Sequence, residues 1–440
     1  MKRRVVVFYE HFAREYDTCK MIKNKLENTG EFIVEIFSIA FEYCSALAYA
    51  RDNKTDILVM PWLYTLGDYK LCLPFLVFNS DMIIFNLHHE QVSSPMSERA
   101  NLGKDLFVSN RVFHVVWGDL FESKLLSLGI PNNIIFKVGY LRGDAGRYFH
   151  GGERNKVRSE LAMEFGLDPQ KRWILFAENR DTKMINNKEL SHLLRMGYDK
   201  EDVLGYVDIK IKSLKKTFDD FSSLPDSFFE NNEIIYRMHP GMLFVDEIKK
   251  MKWFNRIKVI NSYSIYKWLS AVDVNVVWNS TSIFESDAMG VLSLRYDPLN
   301  LPSKYLAYGL DLYPVISSIG QVDCLPGGFA NKGCGIYSKF IGAVDSKSFD
   351  RLVDYFYLAL NKNNICRNNE ICVLDDFMMF LTKKYLFELL AGLFSKFRIL
   401  SIFKYPKTAY KLRDDIPSNP MLPSLRSIIH LLFELYILKQ

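Results

Sequence analysis

The chain lacks most of the features that assign a sequence quickly to a class. Its 440 residues hold no apolar run long enough to cross a bilayer. They also hold no Asp-x-Asp metal motif and no Gly-x-Gly-x-x-Gly loop. The seven cysteines are scattered at spacings that fit neither a zinc site nor a disulfide framework. We therefore expect a globular, cytoplasmic protein without a metal or cofactor, rather than a membrane-spanning or secreted one.

The charge is small and unevenly distributed. The opening segment MKRRVVVFYEHF is basic and briefly apolar, but charge returns at Glu10, which predicts a first strand rather than a signal peptide. The net charge is +5, and residues 383–440 carry ten Lys and Arg against four acidic residues. This basic, aromatic tail either contacts an anionic membrane surface or packs back on the rest of the chain. The distribution gives no support for a nucleic-acid partner.

Strand-like and helix-like segments alternate along most of the chain. Runs of Val, Ile and Phe, such as RRVVVFY at 3–9 and VNVVWNS at 274–280, are typical of strands buried on both faces of a parallel sheet. The pattern predicts an α/β fold with two doubly wound, Rossmann-like domains at 1–150 and 165–340. The polar, glycine-rich stretch 143–160 is predicted to link them, and 341–440 is predicted to be mainly helical. Ligands of such sheets lie beyond the carboxyl ends of the strands.

The segment NNEIIYRMHPGMLF, residues 231–244, places a His-Pro pair at the end of a predicted strand. Pro240 suits the first turn of a helix, because its missing N–H would have no partner there. His239 would then lie over a helix N-terminus, where it could donate a hydrogen bond to a phosphate. The alternative is an ordinary strand-to-helix turn.

A cluster of hydroxyls follows the strand that begins at residue 274. Asn279 is followed by Ser280, Thr281 and Ser282 at a predicted helix N-terminus, an arrangement that can cradle a phosphate. Glu285 lies one turn into the helix and could accept hydrogen bonds from a ribose. In the alternative interpretation, one hydroxyl caps the helix and Glu285 belongs to a solvated face.

Two further strand ends carry polar side chains. Glu178 ends the strand WILFA and could act as a general base or a nucleophile, or it could simply pair with Arg180. Asp181 is the competing carboxylate. In the first domain, FNLHHEQ ends a strand, and its polar members are candidates to line the acceptor side of a cleft: His88, His89, Glu90 and Gln91. A metal site is a weaker interpretation, since no third ligand stands at a fixed spacing.

Taken in order, MPWLY, NLHHEQ, HVVWGD, KVGYLRGD, RMHP and WNSTSIFES resemble motifs of the bacterial surface carbohydrate biosynthesis proteins over roughly residues 1–300. These are enzymes of GT-B architecture from capsule and O-antigen assembly. A His-Pro followed by a Ser/Thr cluster is also similar to the GT-B sialyltransferases and Kdo (3-deoxy-manno-octulosonate) transferases, which use CMP-activated sugars. The chain departs from the acid-acid-Gly motif of the sialyltransferases, because it reads Glu178-Asn179-Arg180.

The resemblance implies a metal-independent glycosyltransferase of surface polysaccharide or lipopolysaccharide assembly. The first domain would bind a lipid-linked or oligosaccharide acceptor, and the second would bind CMP-Kdo or a related CMP-ulosonate. It implies that the His239-Pro240 pair and the three hydroxyls hold the donor phosphate. Arg180, Asn279 and Glu285 complete the set of candidate donor-nucleotide residues, and Glu178, Asp181 and His239 are the catalytic candidates. A CMP-sugar needs no metal to polarise a pyrophosphate, because hydrogen bonds and a helix dipole can stabilise the departing CMP.

Three other functions remain open at this point. The main alternative is a polyol-phosphate transferase that uses CDP-glycerol or CDP-ribitol on a similar scaffold. A GT-B sugar-nucleotide epimerase and a non-catalytic scaffold of a polysaccharide assembly complex are the others. A basic tail suits a peripheral position on the inner face of the cytoplasmic membrane, which an epimerase does not need.

Overall fold

The computed structural model describes residues 2–98, 102, 105–238, 248–324 and 336–361. His239, Pro240 and the basic tail at 383–440 lie outside these ranges.

The first half of the chain builds a parallel sheet of six strands in the order β2-β1-β3-β4-β5-β6. The strands are β1 (Arg3–Tyr9), β2 (Phe32–Ser38), β3 (Ile57–Met60), β4 (Ile83–Asn86), β5 (Phe113–Val116) and β6 (Ile135–Lys137). β1 and β2 pair in register over their whole length, from Arg3 with Phe32 to Tyr9 with Ser38. The centre of the sheet is buried on both faces, as the continuous apolar runs predict.

Helices cover both faces of this sheet. They are α1 (Phe12–Asn28), α2 (Tyr43–Asn53), α3 (Leu66–Tyr69), α4 (Leu73–Phe78), α5 (Leu106–Ser109), α6 (Asp119–Ser127) and α7 (Leu141–His150). Separate apolar clusters lie on the two sides of β1. One contains Val5 and Val7 and the other Val6 and Phe8, because successive strand residues face opposite sides of the sheet.

The second half repeats the architecture with the strand order β12-β11-β10-β7-β8-β9, again entirely parallel. The strands are β7 (Arg172–Ala177), β8 (Asn232–Arg237), β9 (Lys258–Ile260), β10 (Val274–Val277), β11 (Leu292–Tyr296) and β12 (Val315–Ile316). Numbered within this half, the order is 3-2-1-4-5-6 read from β9, which is the Rossmann order. β12 has only two residues, too few for a periodic signal in the sequence.

The helices of the second half are α8 (Arg154–Phe165), α9 (Asn187–Arg195), α10 (Lys200–Ser223), α11 (Asp226–Asn231), α12 (Ile265–Leu269), α13 (Ser282–Ala288), α14 (Ile336–Ile341) and α15 (Ser348–Asn361). The predicted linker at 143–160 differs from expectation, because most of it is helical in α7 and α8. Its glycines allow close packing, since a Cβ at Gly146 would overlap the ring of Tyr266.

The chain returns to the first sheet after completing the second. α15 packs its apolar face into the core of the first sheet, where the rings of Phe356 and Phe85 lie 4.3 Å apart. Ser348 begins this helix and donates from both its N–H and its hydroxyl to Asp144 in α7. The two halves are therefore joined twice, by α7–α8 and by the returning chain. None of the helices in the described ranges is long and apolar enough to span a bilayer.

Candidate functional site

A cleft of about 1290 Å³ lies between the two sheets. Residues at or just after the carboxyl ends of β1, β4, β7, β8, β9 and β10 line it, so it occupies the position at which open α/β sheets bind ligands. On the first sheet the strand order reverses between β1 and β3, and α1 supplies Phe12, Arg14 and Tyr16 to the wall. On the second sheet the order reverses between β7 and β10, and the loops after both strands line the cleft.

The loops after β7 and β10 are tied to each other. The Asn179 side-chain amide donates to the Asn279 carbonyl at 2.6 Å. Asn279 in turn donates to the Tyr305 carbonyl at 2.8 Å and accepts from the Ala307 N–H at 3.0 Å. The predicted nucleotide-binding role of Asn279 thus competes with a positioning role, because its own amide is used to hold the loop at 305–307.

The predicted hydroxyl row lies on the cleft wall. Ser280, Thr281 and Ser282 all line the cleft, with Thr281 as the residue that precedes α13. Ser280 Oγ lies 3.0 Å from Ser282 Oγ and accepts from the Ser282 N–H at 3.3 Å. Thr281 makes no side-chain cap hydrogen bond. One hydroxyl therefore serves the helix start, as the capping interpretation requires, and the Thr281 hydroxyl is not needed for it.

Glu178 follows the last residue of β7, but its carboxylate oxygens already accept hydrogen bonds from neighbouring residues. The backbone N–H groups of Asn179 and Arg180 donate to Oε1, at 2.9 and 2.8 Å. The Arg180 guanidinium donates to both oxygens, at 2.8 and 2.7 Å, and the Tyr236 hydroxyl donates to Oε2 at 3.1 Å. Both partners of the ion pair have fully buried side chains. This geometry favours the paired, structural interpretation over a base or nucleophile, and it keeps Arg180 off the cleft wall.

Asp181 does not line the cleft. Its Oδ1 accepts from Lys210 Nζ at 2.5 Å and from the Lys183 N–H at 3.1 Å. Lys210, on α10, does line the cleft. The second catalytic candidate is thus a partner of a cleft lysine, and it holds the loop after β7 against α10.

The described part of the RMHP motif has the predicted position at the end of a strand. Arg237 is the last residue of β8, and its side chain lines the cleft while Nη2 donates to the Tyr263 carbonyl at 3.0 Å. Met238 is buried, and its N–H donates to the Ile260 carbonyl at 3.0 Å, which continues the β8–β9 ladder one residue past the strand. His239 and Pro240 follow directly and lie outside the described residues, so their predicted roles stay predictions.

A group of buried polar side chains crosses from the first half to the second at the base of the cleft. The Tyr140 hydroxyl donates to Glu285 Oε1 at 2.5 Å, and Arg142 donates to the same oxygen at 3.0 Å and to the Tyr140 hydroxyl at 2.8 Å. Burial raises the pKa of Tyr140 well above its ordinary value, and the Glu285 carboxylate adds to this effect. Glu285 is thus held by the first half of the chain through one oxygen, while the residue also lines the cleft where a ribose was predicted.

Several polar atoms of the cleft wall have no hydrogen-bond partner among the described residues. They are Arg14 Nε, Thr18 Oγ1 and Asn179 Oδ1. Buried polar groups are almost always paired, so these atoms are candidates to bond a ligand in the cleft.

The strand end at 86–91 contributes one wall residue. Glu90 lines the cleft, with a side chain 47% exposed, and pairs with Arg14 at 2.8 Å. The other three candidates are buried and do not line it. Gln91 holds neighbouring backbone, because it donates to the Val115 carbonyl at 2.9 Å and accepts from the Trp117 N–H at 2.8 Å.

His88 belongs to a buried histidine pair. Its Nε2 lies 2.8 Å from His114 Nδ1, and His114 Nε2 lies 2.8 Å from the Ser109 carbonyl. Because a carbonyl can only accept, His114 carries its hydrogen on Nε2, and His88 donates to its Nδ1. Burial lowers the pKa of His114 to about 4 and that of His88 well below its usual range. Burial also lowers the pKa of His89. These rings are neutral, structural groups of the first domain.

Sequence reasoning missed Arg14, Arg142, Lys210 and Tyr266. Arg14 and Arg142 each stand a few residues after the carboxyl end of a strand, in β1–α1 and β6–α7. The rule that pointed to Glu178 would therefore have found them. Tyr266 follows the end of β9 in the same way, whereas Lys210 lies in the middle of α10 and carries no such signal. Among the described residues no group of three or more His, Cys, Asp or Glu is placed to hold a metal ion. The metal-independent reaction stays a prediction.

No family model matches the chain, and no curated protein matches it. Solved structures do. A variant of the wall teichoic acid polymerase TagF aligns at 12% identity and a TM-score of 0.53, over 82% of this chain and 90% of its own. A protein described as a putative UDP-N-acetylglucosamine 2-epimerase from Listeria monocytogenes aligns at 11% identity and a TM-score of 0.55, over 83% and 98%. The S. aureus MnaA–UDP complex aligns at 12% identity and a TM-score of 0.54, over 82% of this chain and 97% of its own.

The fold is GT-B. Two parallel six-stranded sheets, each covered by helices and separated by a cleft, confirm the fold class predicted from the sequence. Identities of 11–12% show this architecture alone.

Proposed function

We propose that this protein is a transferase of bacterial surface glycopolymer assembly that takes its donor from a cytidine nucleotide. The first candidate donor is a CMP-ulosonate such as CMP-Kdo. The observation that carries the proposal is the row of hydroxyls on the second-domain wall of the cleft, beside the loops of the strand-order reversal. One of these hydroxyls, on Thr281, is not needed to cap α13 and is available to a phosphate.

The donor phosphate would lie between two sources of hydrogen bonds. Ser280, Thr281 and Ser282 supply hydroxyls on one side, and Arg237 supplies positive charge at the end of β8. His239 follows Arg237 by two residues, and the sequence resemblance assigns it to the same phosphate. Such donors stabilise the charge that develops on a departing nucleotide. Because their dipoles and charges are fixed by the fold, little reorganisation is needed during the reaction.

The acceptor hydroxyl needs a base, and we propose Glu90 for this role. Among the residues that the structure describes, four carboxylates line the cleft. Glu178 has both oxygens in hydrogen bonds, Glu285 is buried against Tyr140 and Arg142, and Asp17 pairs with His150 at 2.6 Å. Glu90 is the most exposed of the four and lies on the first-domain wall, where the acceptor is expected. Its partner Arg14 would orient the carboxylate.

A second candidate is transfer of a polyol phosphate from CDP-glycerol or CDP-ribitol. It is supported by the likeness to TagF, for which a structure soaked with CDPG also aligns, at a TM-score of 0.50. Both candidates predict a cytidylate site and differ in what is attached to it. A third candidate, the epimerase class, is represented by one neighbour described as a putative UDP-N-acetylglucosamine 2-epimerase and by the MnaA–UDP complex. It predicts a uridine nucleotide instead.

The test is donor binding and slow donor cleavage by the full chain. We would titrate CMP-Kdo, CDP-glycerol, CDP-ribitol and UDP-N-acetylglucosamine by calorimetry, and follow released CMP by anion-exchange chromatography against a heat-inactivated sample. The proposal expects binding and CMP release with a cytidine donor, and weaker binding by Thr281→Ala. CMP release from CDP-polyols alone would select the second candidate. Conversion of the uridine donor with no response to any cytidine donor would contradict both.

A further inference from the structure

The side chain of Asn179 is held in one orientation and leaves its oxygen unused. Its backbone N–H donates to Glu178 Oε1 at 2.9 Å, and its side-chain nitrogen donates to the Asn279 carbonyl at 2.6 Å. Because a carbonyl can only accept, the amide cannot turn over without losing this bond. Oδ1 is therefore fixed as a hydrogen-bond acceptor. This atom is buried in the cleft wall and has no donor among the described residues.

A second acceptor in the cleft is held in the same way. Glu285 Oε1 accepts from Tyr140 and Arg142, and Oε2 makes no hydrogen bond with another described residue. Asn179 is bonded to Asn279, the residue just before the hydroxyl row, whereas Glu285 lies one turn of α13 beyond the row. The hydroxyl row thus has an acceptor next to each of its ends.

A nucleotide donor carries the complementary pattern. The oxygens of its phosphate accept hydrogen bonds, and the phosphate joins two groups that carry hydroxyls, the ribose and the transferred unit. With the phosphate on the hydroxyl row and the ribose toward Glu285, the transferred unit lies toward Asn179. An amide oxygen has no hydrogen to give to a phosphate oxygen, but it can accept one from a hydroxyl.

We propose that Asn179 Oδ1 accepts a hydrogen bond from a hydroxyl of the transferred unit and so selects a hydroxylated donor. The proposal rests on the proposed function, because it takes the hydroxyl row to bind the donor phosphate. A site built to bond a hydroxyl rejects an analogue that lacks it, since the buried acceptor is then left unpaired. The hydroxyl can belong to an ulosonate or to the glycerol of CDP-glycerol, and the test separates the two.

Paired titrations separate the transferred unit from the nucleotide. By calorimetry on the full chain, without acceptor, we would measure how much more tightly CMP-Kdo binds than CMP, and CDP-glycerol than CDP. The CDP ester of propane-1,3-diol, which lacks the C2 hydroxyl of glycerol, is the third donor. Asn179→Leu should lower the affinity ratio of the true donor to its nucleotide about fivefold and leave binding of the nucleotide itself unchanged.

Two further variants keep the test independent of folding effects. Asn179→Asp keeps an acceptor oxygen, so it should retain the affinity ratio even though its charge weakens binding of every nucleotide. Asn261→Leu is the matched control, since Asn261 also lines the cleft, after β9, and should leave every ratio unchanged. A fall for CMP-Kdo would identify the ulosonate hydroxyls. A fall for CDP-glycerol, with none for the propanediol ester, would identify the C2 hydroxyl of glycerol.

A ratio that Asn179→Leu leaves unchanged would overturn the proposal. An equal loss for nucleotide and donor would also overturn it, because Oδ1 would then contact the ribose or the base. UDP and UDP-N-acetylglucosamine are titrated alongside. If this pair alone binds and its ratio falls in Asn179→Leu, the cytidine proposal fails and the role of Asn179 stands. Absence of binding by every nucleotide would overturn both.

Discussion

At the scale of single residues, the cleft contains carboxylates in opposite environments. Glu178 lies at the tip of β7, where a catalytic group would be expected, yet five hydrogen bonds from three residues occupy it. Glu90 lies on the opposite wall and is about half exposed, with one ion-pair partner. The position of a carboxylate at a strand end is therefore not sufficient to identify a general base. Glu178 and Glu90 differ in how many hydrogen bonds their carboxylate oxygens already accept from the protein.

Substitution of these two carboxylates should give opposite results. Glu178→Gln leaves the buried Arg180 guanidinium without its counter-charge, and breaking a buried pair in this way typically costs about 3–5 kcal/mol of unfolding free energy. Glu90→Gln should change stability by less than about 1 kcal/mol, because its pair is exposed, and should abolish turnover while nucleotide binding is kept. Urea denaturation and CMP release measure both. A stable but inactive Glu178→Gln would restore Glu178 as the catalytic group.

The buried histidine pair predicts a pH dependence of stability. The pKa of His114 is about 4 in the folded protein, below the value of about 6.5 expected in the unfolded chain. Between these values the unfolded state binds more protons, so the unfolding free energy falls as the pH drops from about 6.5 toward 4. His114 alone should account for a loss of about 2 kcal/mol between pH 7 and 5. Denaturation of the wild type and of His114→Gln at pH 7 and pH 5 tests this. If the variant loses as much unfolding free energy between the two pH values as the wild type, the prediction is contradicted.

At the scale of elements, one hydroxyl of the loop after β10 serves the helix start and one does not. Ser280 accepts from the Ser282 N–H at the start of α13, and Thr281 makes no such bond. The dipole of so short a helix adds little, so side-chain hydroxyls and Arg237 must supply most of the attraction for a phosphate.

Alanine substitutions should separate these two uses. Ser280→Ala removes a cap-type bond and should lower the unfolding free energy by about 1 kcal/mol. Thr281→Ala should leave stability unchanged and weaken cytidine nucleotide binding about fivefold, the worth of one hydrogen bond. Thermal unfolding and calorimetric titration of each variant give the two quantities. Equal effects of both substitutions on binding and stability would show that Thr281 is structural as well.

The elements themselves were largely predictable from the sequence. Buried strands are marked by continuous Val, Ile and Phe, and β1 coincides with the predicted segment RRVVVFY. The site was less predictable, because pairing of Glu178 with Tyr236, or of Glu285 with Tyr140, joins residues 58 and 145 positions apart. The predicted linker does join the two halves, but its helices were not predicted, because the glycines and charges of α7 and α8 obscure their apolar faces. Here Gly146 serves close packing rather than flexibility.

At the scale of the whole molecule, the cleft depends on a chain that crosses between the halves twice. The first crossing passes through α7, which carries Arg142 to Glu285. The second returns α15 to the first sheet, where Arg351 donates to the Val138 carbonyl at 2.6 Å. The relative position of the two cleft walls is thus fixed by residues far apart in sequence.

A substitution in α15 should therefore destabilise the N-terminal sheet. Phe356 is fully buried against Phe85, and Phe→Ala changes in a core typically cost about 3–5 kcal/mol. We expect Phe356→Ala to increase hydrogen exchange of β4 and β5 while β7 and β10 keep their protection. Leu358→Ala is the control on the same helix, since Leu358 is 40% exposed. Equal loss of protection in both sheets would mean that the two halves unfold as one unit.

A thermal shift measures whether the cleft binds a cytidine nucleotide, as we propose. We would heat the full chain with CMP, CDP, UMP or UDP, alongside His239→Ala and Thr281→Ala. A ligand at about 100 times its dissociation constant adds roughly 2.7 kcal/mol of stability. We expect CMP or CDP to raise the melting temperature, the uridine nucleotides to leave it unchanged, and both variants to respond less. A rise with UDP alone, or with no nucleotide, would contradict the proposal.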